Sequence, residues 1–328
     1  MTYDVVTFGE AMLRLSPPHF GRLEQTHSLE VEIGGSELNV AVGVSRLGLH
    51  AAWISKLPNN PLGRMVRNRA RELGVDVAHV IFSDQGRQGL YFVEYGAAPR
   101  ASSVLYDRGN SAISLIKPDE VDWKKILSKA KLFHVSGITP ALSPSAAETT
   151  ALAMKTAKEV GCLVSYDLNY RKKLWTPAQA RSCQEPLMKL VDILTTTEED
   201  TGVVFGIREE NYQKVAETLA RTFGFKAVAI TLREDISVWK NNWTAIAYAD
   251  GKIYTDRTYM VEIVDRVGAG DSFTAGFIYG YLTGDAEKGV KYGNALAALK
   301  HTMPGDFNWS TLEEVEAQIK GAGLRISR

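Results

Sequence analysis

The sequence predicts an α/β fold: a mostly parallel sheet covered by helices on both faces, with a small extra sheet. Three observations predict it. Short β-branched runs recur along the chain and read as buried strands. Longer amphipathic stretches separate most of them, the pattern of parallel strands joined by helices. Two regions, residues 10–32 and 88–106, are strand-like but have no helix after them.

The elements follow in order. Val5–Phe8 is the first strand and runs into Gly9 and Glu10. Ser36 caps a helix carrying Leu38, Ala41, Val42 and Leu47, closed by Gly48. Ala51–Leu57 is a strand. Pro61 to Leu73 is a helix with Arg64, Arg67 and Arg71 on one face, either an anion patch or a solvated surface. In Gly89–Gly96, Tyr91, Val93 and Tyr95 point one way and Leu90, Phe92 and Glu94 the other. Apolar residues on both faces predict a small sheet with substrate on one side and a partner subunit on the other. Leu132–Ser136, Leu163–Asp167, Asp192–Thr195 and Ala227–Leu232 complete the strands, with Ser143–Val160 and Pro177–Leu190 as further helices. No repeat or linker divides the chain. Residues 1–328 are therefore expected to form one domain, with a discontinuous lid at approximately 10–33 and 87–113.

Charge narrows the function. The 38 Lys and Arg balance the 38 Asp and Glu of the 328 residues, so no global field attracts nucleic acid or an anionic membrane. Any anion must be bound by a local site. The two cysteines, Cys162 and Cys183, form no CxxC pair, and the six histidines form no HExxH. No signal-like start and no apolar run long enough to span a membrane occur. A reduced, cytoplasmic protein is expected.

The strongest chemical signal is DRVGAGD, Asp265 to Asp271, between a β-like run and a helix rich in small residues. Glycines at 268 and 270 let backbone N–H groups approach an anion, and the helix N-terminus adds its positive end. Asp271 at that end is positioned to accept a proton. A base beside an anion hole is what transfer of a γ-phosphoryl group to a hydroxyl requires. The plainer alternative is a glycine turn with an Asp helix cap. No Gly-Lys-Ser/Thr follows, so this is not a Walker A loop, and the third glycine of a dinucleotide fingerprint is missing.

Asp265 to Asp271 resembles the C-terminal signature of the ribokinase (PfkB) family of carbohydrate kinases. Gly34 to Ala41 (GGSELNVA), continuing to Gly48, is similar to the family's N-terminal signature. With the strand–helix alternation, the resemblance covers essentially the whole chain. It implies a ribokinase-like three-layer α/β/α core with a β-sheet lid, and ATP and Mg²⁺ as cofactors. It implies that Asp271 deprotonates the sugar hydroxyl while the N–H groups of Gly268, Ala269 and Gly270 stabilise the phosphoryl. Gly34, Gly35 and Asn39 are implied at the sugar. Thr231, Arg233 and Ser237 fall where the family has a nucleotide loop, Asn169 is implied near the nucleotide, and Asn294 lies on the helix bordering the adenine. One departure stands out. The family's Asn-x-x-Glu is replaced by Thr197 and Asp200, or in a shifted register by Thr196 and Glu199. Thr197 is kept as a nucleotide-side residue, and no metal ligand is assigned.

Within the family, Tyr91, Tyr106 and Arg108 of the lid, Arg171 after the Leu163–Asp167 strand, and Asp306 are similar to the substrate residues of 2-keto-3-deoxygluconate kinases. The resemblance implies phosphorylation of that sugar acid at its 6-hydroxyl. Its carboxylate gives converging arginines a purpose, since guanidinium groups bind carboxylates by charge-assisted hydrogen bonds. Arg171 is open to serving the nucleotide phosphates instead. The alternative substrate is a neutral sugar such as fructose, or a nucleoside. A homo-oligomer formed through the lid sheet is also expected.

Overall fold

The computed structural model describes residues 2–321; residue 1 and residues 322–328, the ends of the expected unit, lie outside the described residues. Fourteen strands are described: β1 (Tyr3–Phe8), β2 (Met12–Ser16), β3 (Glu30–Gly34), β4 (Ala51–Pro58), β5 (Val80–Ser83), β6 (Leu90–Glu94), β7 (Ser103–Asp107), β8 (Ala130–Ser136), β9 (Leu163–Asp167), β10 (Ile193–Thr196), β11 (Ala227–Ser237), β12 (Lys240–Ala249), β13 (Lys252–Thr255) and β14 (Tyr259–Glu262). The helices are α1 (Ser36–Arg46), α2 (Pro61–Glu72), α3 (Trp123–Leu127), α4 (Pro144–Glu159), α5 (Pro177–Leu187), α6 (Glu198–Val204), α7 (Tyr212–Phe223), α8 (Ala269–Thr283), α9 (Ala286–Lys300) and α10 (Leu312–Lys320).

The main sheet has the order β13-β12-β11-β10-β9-β8-β1-β4-β5, with β14 also paired to β12. From β11 to β5 every pairing is parallel. Both faces are buried, which explains the continuous apolar runs. In β1, Val5 enters the core on one side of the sheet, while Val6 and Phe8 enter the core on the other. The α2 arginines form a surface: Arg64 and Arg71 are exposed, and Arg67 lies over the Phe82 ring at 5.3 Å.

One expectation about the main sheet fails. The strand beginning at Ala227 does not give way to a loop after Leu232 but continues to Ser237. Its antiparallel neighbour β12 supplies the backbone partners, opposing Thr231 with Ala245, Arg233 with Trp243 and Ser237 with Lys240. Thr231, Arg233 and Ser237 therefore lie on a hairpin strand.

The small sheet has the order β3-β2-β6-β7. Its registers align two rows of side chains. One row carries Glu32, Arg14, Tyr91 and Tyr106. The other carries Val31, Leu15, Phe92 and Leu105, of which Val31 and Leu105 are exposed. The first row faces the protein, where Tyr91 packs with Met12 and Val93.

Helix starts divide into two kinds. A side chain caps α2 (Asn60), α3 (Asp122), α4 (Ser143), α5 (Thr176), α6 (Thr197), α7 (Asn211), α9 (Asp285) and α10 (Thr311). Only α1 and α8, of the described helices, begin at a glycine without such a cap. Ser36, expected as the cap of α1, is instead its first residue, and Gly35 precedes it.

Asp192, just before β10, ties neighbouring elements together. It accepts from the Val164 N–H at 2.9 Å and pairs with Lys158 at 2.7 Å and Lys226 at 3.1 Å. Burial opposes its ionisation, but the Lys158, Val164 and Lys226 contacts outweigh it and hold the carboxyl below its ordinary value. Such a depressed pKa stabilises the fold above the unfolded value and is lost as pH falls through the folded one. Asp192→Asn should lower stability at pH 7 by about 1 kcal/mol, since both lysines are solvent-exposed. Denaturant unfolding should show the gap closing below about pH 4; a gap independent of pH would contradict this.

Candidate active site

The third residue of α8, Asp271, meets the first turn of α1. Its Oδ1 accepts from the Ser36 hydroxyl at 2.7 Å and its Oδ2 from the Asn39 amide at 2.6 Å. Asn169 donates in turn to the Ser36 oxygen at 3.1 Å. Burial pushes the Asp271 carboxyl above its ordinary value; the bonds from Ser36 and Asn39 and the Arg171 charge oppose that shift without cancelling it. The result is a fixed carboxylate with enhanced basicity. Asn39, expected at the sugar, has its amide on Asp271. Asn169, expected at the nucleotide, has its amide on Ser36.

Gly268 precedes α8 in the left-handed region, at φ 84°, and a Cβ there would lie 2.2 Å from the Asp306 carbonyl oxygen. The N–H groups of Gly268, Gly270 and Asp271 have no acceptor among the described residues. Ala269 departs from the expected anion hole: its N–H turns back to the Arg266 carbonyl at 3.3 Å, closing the turn.

Two further carboxylates extend the group: Asp167 is coupled to Asp271, and Asp200 to Asp167. Burial, with the charges of Asp271 and Asp200, pushes Asp167 well above its ordinary value. Burial also pushes Asp200 up to about 6, against the pull of Arg171 and the Tyr170 N–H, 3.3 Å away. Arg171 is the cation that acts on all three. The cluster is therefore short of positive charge. Thr197 accepts from the Asp200 N–H at 3.1 Å as the α6 cap.

A second group adjoins the first through Gly268 and Asp306. Asp306 accepts from the Tyr91 hydroxyl at 2.5 Å and from Arg14 at 2.8 Å. A Cβ on Gly34 would come within 2.0 Å of Asp306 Oδ2, so this close approach needs glycine. Gly35 lies equally tight against the Glu10 carbonyl. Tyr106 stacks on Tyr91 with ring centroids 5.8 Å apart, and Arg108 lies over Tyr106 at 5.5 Å. Arg108 donates through Nε to Glu10 at 2.8 Å. Glu10 is buried, and its other oxygen has no partner.

The structure thus gathers Gly34, Gly35, Asn39, Tyr91, Tyr106, Arg108, Asn169, Arg171, Gly268–Asp271 and Asp306 around the starts of α1 and α8. It does not bring the two arginines to one carboxylate: Arg171 faces the three aspartates and Arg108 faces Glu10. Asn294 is fully buried in α9, and its amide is spent on Asp256 at 3.2 Å and the Arg257 carbonyl at 3.0 Å. Ser36, Glu10, Arg14 and Asp167 were not singled out as site residues from sequence, and Asp200 appeared only in one register of the replaced Asn-x-x-Glu. Ser36 and Glu10 had a visible signal, since both directly follow a glycine of a motif already read.

A profile of the pfkB family carbohydrate kinases matches residues 2–311. The chain is 42% identical to the 2-dehydro-3-deoxygalactonokinase of Haloferax volcanii, over 100% of both chains. It is 33% identical to the 2-dehydro-3-deoxygluconokinase of Bacillus subtilis, covering 98% of this chain and 97% of that one. Among solved structures, the 2-dehydro-3-deoxygluconokinase of Thermotoga maritima is 45% identical and superposes with a TM-score of 0.95, covering 98% of this chain and 99% of that one. Likeness of this extent, over a ribokinase-like fold with a second small sheet, means that the chain belongs to the pfkB family of carbohydrate kinases and is a phosphotransferase acting on a sugar.

Proposed function

We propose that the protein phosphorylates 2-keto-3-deoxygluconate at its 6-hydroxyl, using ATP. The observation that carries this reading is the Asp271 carboxylate, fixed by Ser36 and Asn39 at the uncapped start of α8. Asp271 takes the proton of the 6-hydroxyl. A bond forms between that oxygen and the γ-phosphorus, the bond from phosphorus to the bridging oxygen breaks, and ADP leaves. The open N–H groups of Gly268, Gly270 and Asp271, with the α8 dipole, stabilise charge on the transferring phosphoryl. The relatives named above support the sugar: 2-dehydro-3-deoxygluconate and 2-dehydro-3-deoxygalactonate share a carboxylate, a ketone and a 6-hydroxyl.

The substrate's carboxylate is read at Arg108, with Tyr91, Tyr106, Gly34 and Asp306 around the sugar. The nucleotide is read along the carboxyl ends of β10 and β11, with Arg171 toward its phosphates and Thr197, Thr231 and Arg233 nearby. Arg233 is exposed and has no ion-pair partner among the described residues, which suits it to a phosphate. The electron-rich trio Asp167, Asp200 and Asp271 fits Mg²⁺, which would neutralise phosphate charge when bound. Asp167 and Asp200 would hold it through waters, since among the described residues no three acidic, His or Cys side chains form a metal cage. A cytoplasmic setting belongs to this reading and suits the two unpaired cysteines. Among the described residues no helix is long and apolar enough to cross a membrane.

The second reading is a kinase of a neutral sugar such as fructose, or of a nucleoside. The Glu10–Arg108 ion pair favours it, because Arg108 is already neutralised. ADP release measured over a panel of acidic and neutral sugars separates the two. The first reading expects preference for 2-keto-3-deoxygluconate or its close analogues. It further expects Arg108→Ala to raise that sugar's KM roughly 10–100-fold, the loss of a charge-assisted bond. Preference for a neutral sugar, with KM unmoved in the variant, would establish the second.

Asp271→Asn should lower turnover at least ~10³-fold while sugar still binds. Because burial raises the Asp271 pKa, kcat/KM should fall as pH drops through a value above the usual ~3.9. That limb should be absent from the residual activity of the variant. Near-normal turnover would refute the assigned base.

The outward row Val31, Leu15, Phe92 and Leu105 supports pairing of two lids in a homodimer. Sedimentation should give a dimer for the native chain and a monomer for Leu105→Asp. A native monomer would rule the pairing out.

A further inference from the structure

Arg14 lies in the protein-facing row of the small sheet, between Glu32 and Tyr91, and is only 1% exposed. Its Nη1 donates to Asp306 at 2.8 Å, and its Nη2 pairs with Asp265 at 2.7 Å and meets the Tyr95 hydroxyl. Asp265 is heavily used. It accepts from the Val267 N–H at 3.0 Å, the Gly305 N–H at 3.0 Å and the Tyr95 hydroxyl at 2.8 Å. Lys300, also fully buried, donates to the Met303 carbonyl at 3.1 Å and more weakly to that of Asp265. Two buried cations thus face two buried carboxylates.

One guanidinium therefore joins three segments: strand β2, the turn entering α8, and the loop after α9. Fold stability alone is a poor reason for such a cluster, since buried ion networks are often replaceable by apolar side chains without loss. The Nε of Arg14 is also left without a partner, a further cost. What the fork does achieve is geometric. Asp265, through the Val267 N–H, shapes the turn that presents Gly268 and Gly270. Asp306 lies against Gly34 on one side and, through its carbonyl, against Gly268 on the other.

We propose that Arg14 is a positioning residue, whose two arms hold Asp306 toward the sugar and the 265–268 turn toward the phosphoryl group. The proposal rests on the roles given above to Asp306 and that turn, and not on which sugar is used. A lysine keeps the charge but is a single point donor and cannot span both acids.

Asp306 is faced by Arg14 from β2, Glu32 from β3, Tyr91 from β6 and Tyr95 just after it. Asp265 faces it from the turn before α8, Asp271 from α8 and Lys300 from α9. Burial raises its carboxyl, and Arg14 is the strongest influence pulling it back down. Loss of that charge should let Asp306 protonate at higher pH.

The test is steady-state kinetics of full-length Arg14→Lys and Arg14→Gln across pH, using whichever sugar the native enzyme phosphorylates best. Both variants should lower kcat and raise the sugar KM, each at least about 10-fold. In Arg14→Gln the sugar KM should recover as pH rises, a trend the native enzyme lacks. A purely structural role predicts a lower melting temperature with both constants within about twofold of native, and that result would overturn the proposal. If Arg14→Gln does not fold, the charge-retaining Arg14→Lys decides. A neutral sugar emerging as best substrate would defeat the acidic-sugar reading and leave the Arg14 result standing.

Discussion

The Asp271 carboxylate is held where two helices begin without side-chain caps, and the site is organised around that arrangement. Eight of the described helices spend a side chain on their first N–H groups; α1 and α8 do not. Their first turns instead meet each other. Ser36 and Asn39 from α1 hold the carboxylate of α8, while the N–H groups of Gly268, Gly270 and Asp271 have no acceptor among the described residues. The proposed base and the proposed anion hole thus arise from the same turn. Burial keeps that base stronger than an ordinary carboxylate, and the hydrogen bonds keep it aimed.

The main sheet makes this possible by bringing strand ends to one edge. Asp167 ends β9 and Asp200 lies just beyond β10, and parallel pairing sets the two strands side by side. The cost is a cluster of carboxylates with one nearby guanidinium, an electrostatic debt that a phosphate-bound cation would relieve. The small sheet is built differently. Its protein-facing row is aromatic and charged, and it reaches the core through Arg14 and Tyr91. The chain's balanced charge agrees with the proposed local handling of anions, which leaves the remaining charges free to cancel.

Much of the fold was legible because its signals are local. Strands buried on both faces give runs such as Val5–Phe8, and amphipathic stretches such as Pro61–Leu73 mark helices. The glycine turn at 268–271 was legible for the same reason. What escaped was set by distant partners. Ser36 meets Asp271 across 235 residues of sequence, and Arg14 meets Asp306 across 292. No local pattern announces such pairs. The family resemblance places residues 233–237 on a loop, whereas the partner strand β12 keeps them in a strand. Asn294 is buried, and its Nδ2 ties down a neighbouring turn at Asp256 and Arg257, a contact no local pattern announces.

The most direct measurement is a crystal structure with the preferred sugar and a non-hydrolysable ATP analogue. The account predicts the reacting hydroxyl within about 2.6–3.2 Å of the Asp271 carboxylate. It also predicts the terminal phosphate of the analogue at the N–H groups of Gly268, Gly270 and Asp271. A reacting hydroxyl lodged instead against Asp167 or Asp200, with the α8 N-terminus facing water, would contradict it.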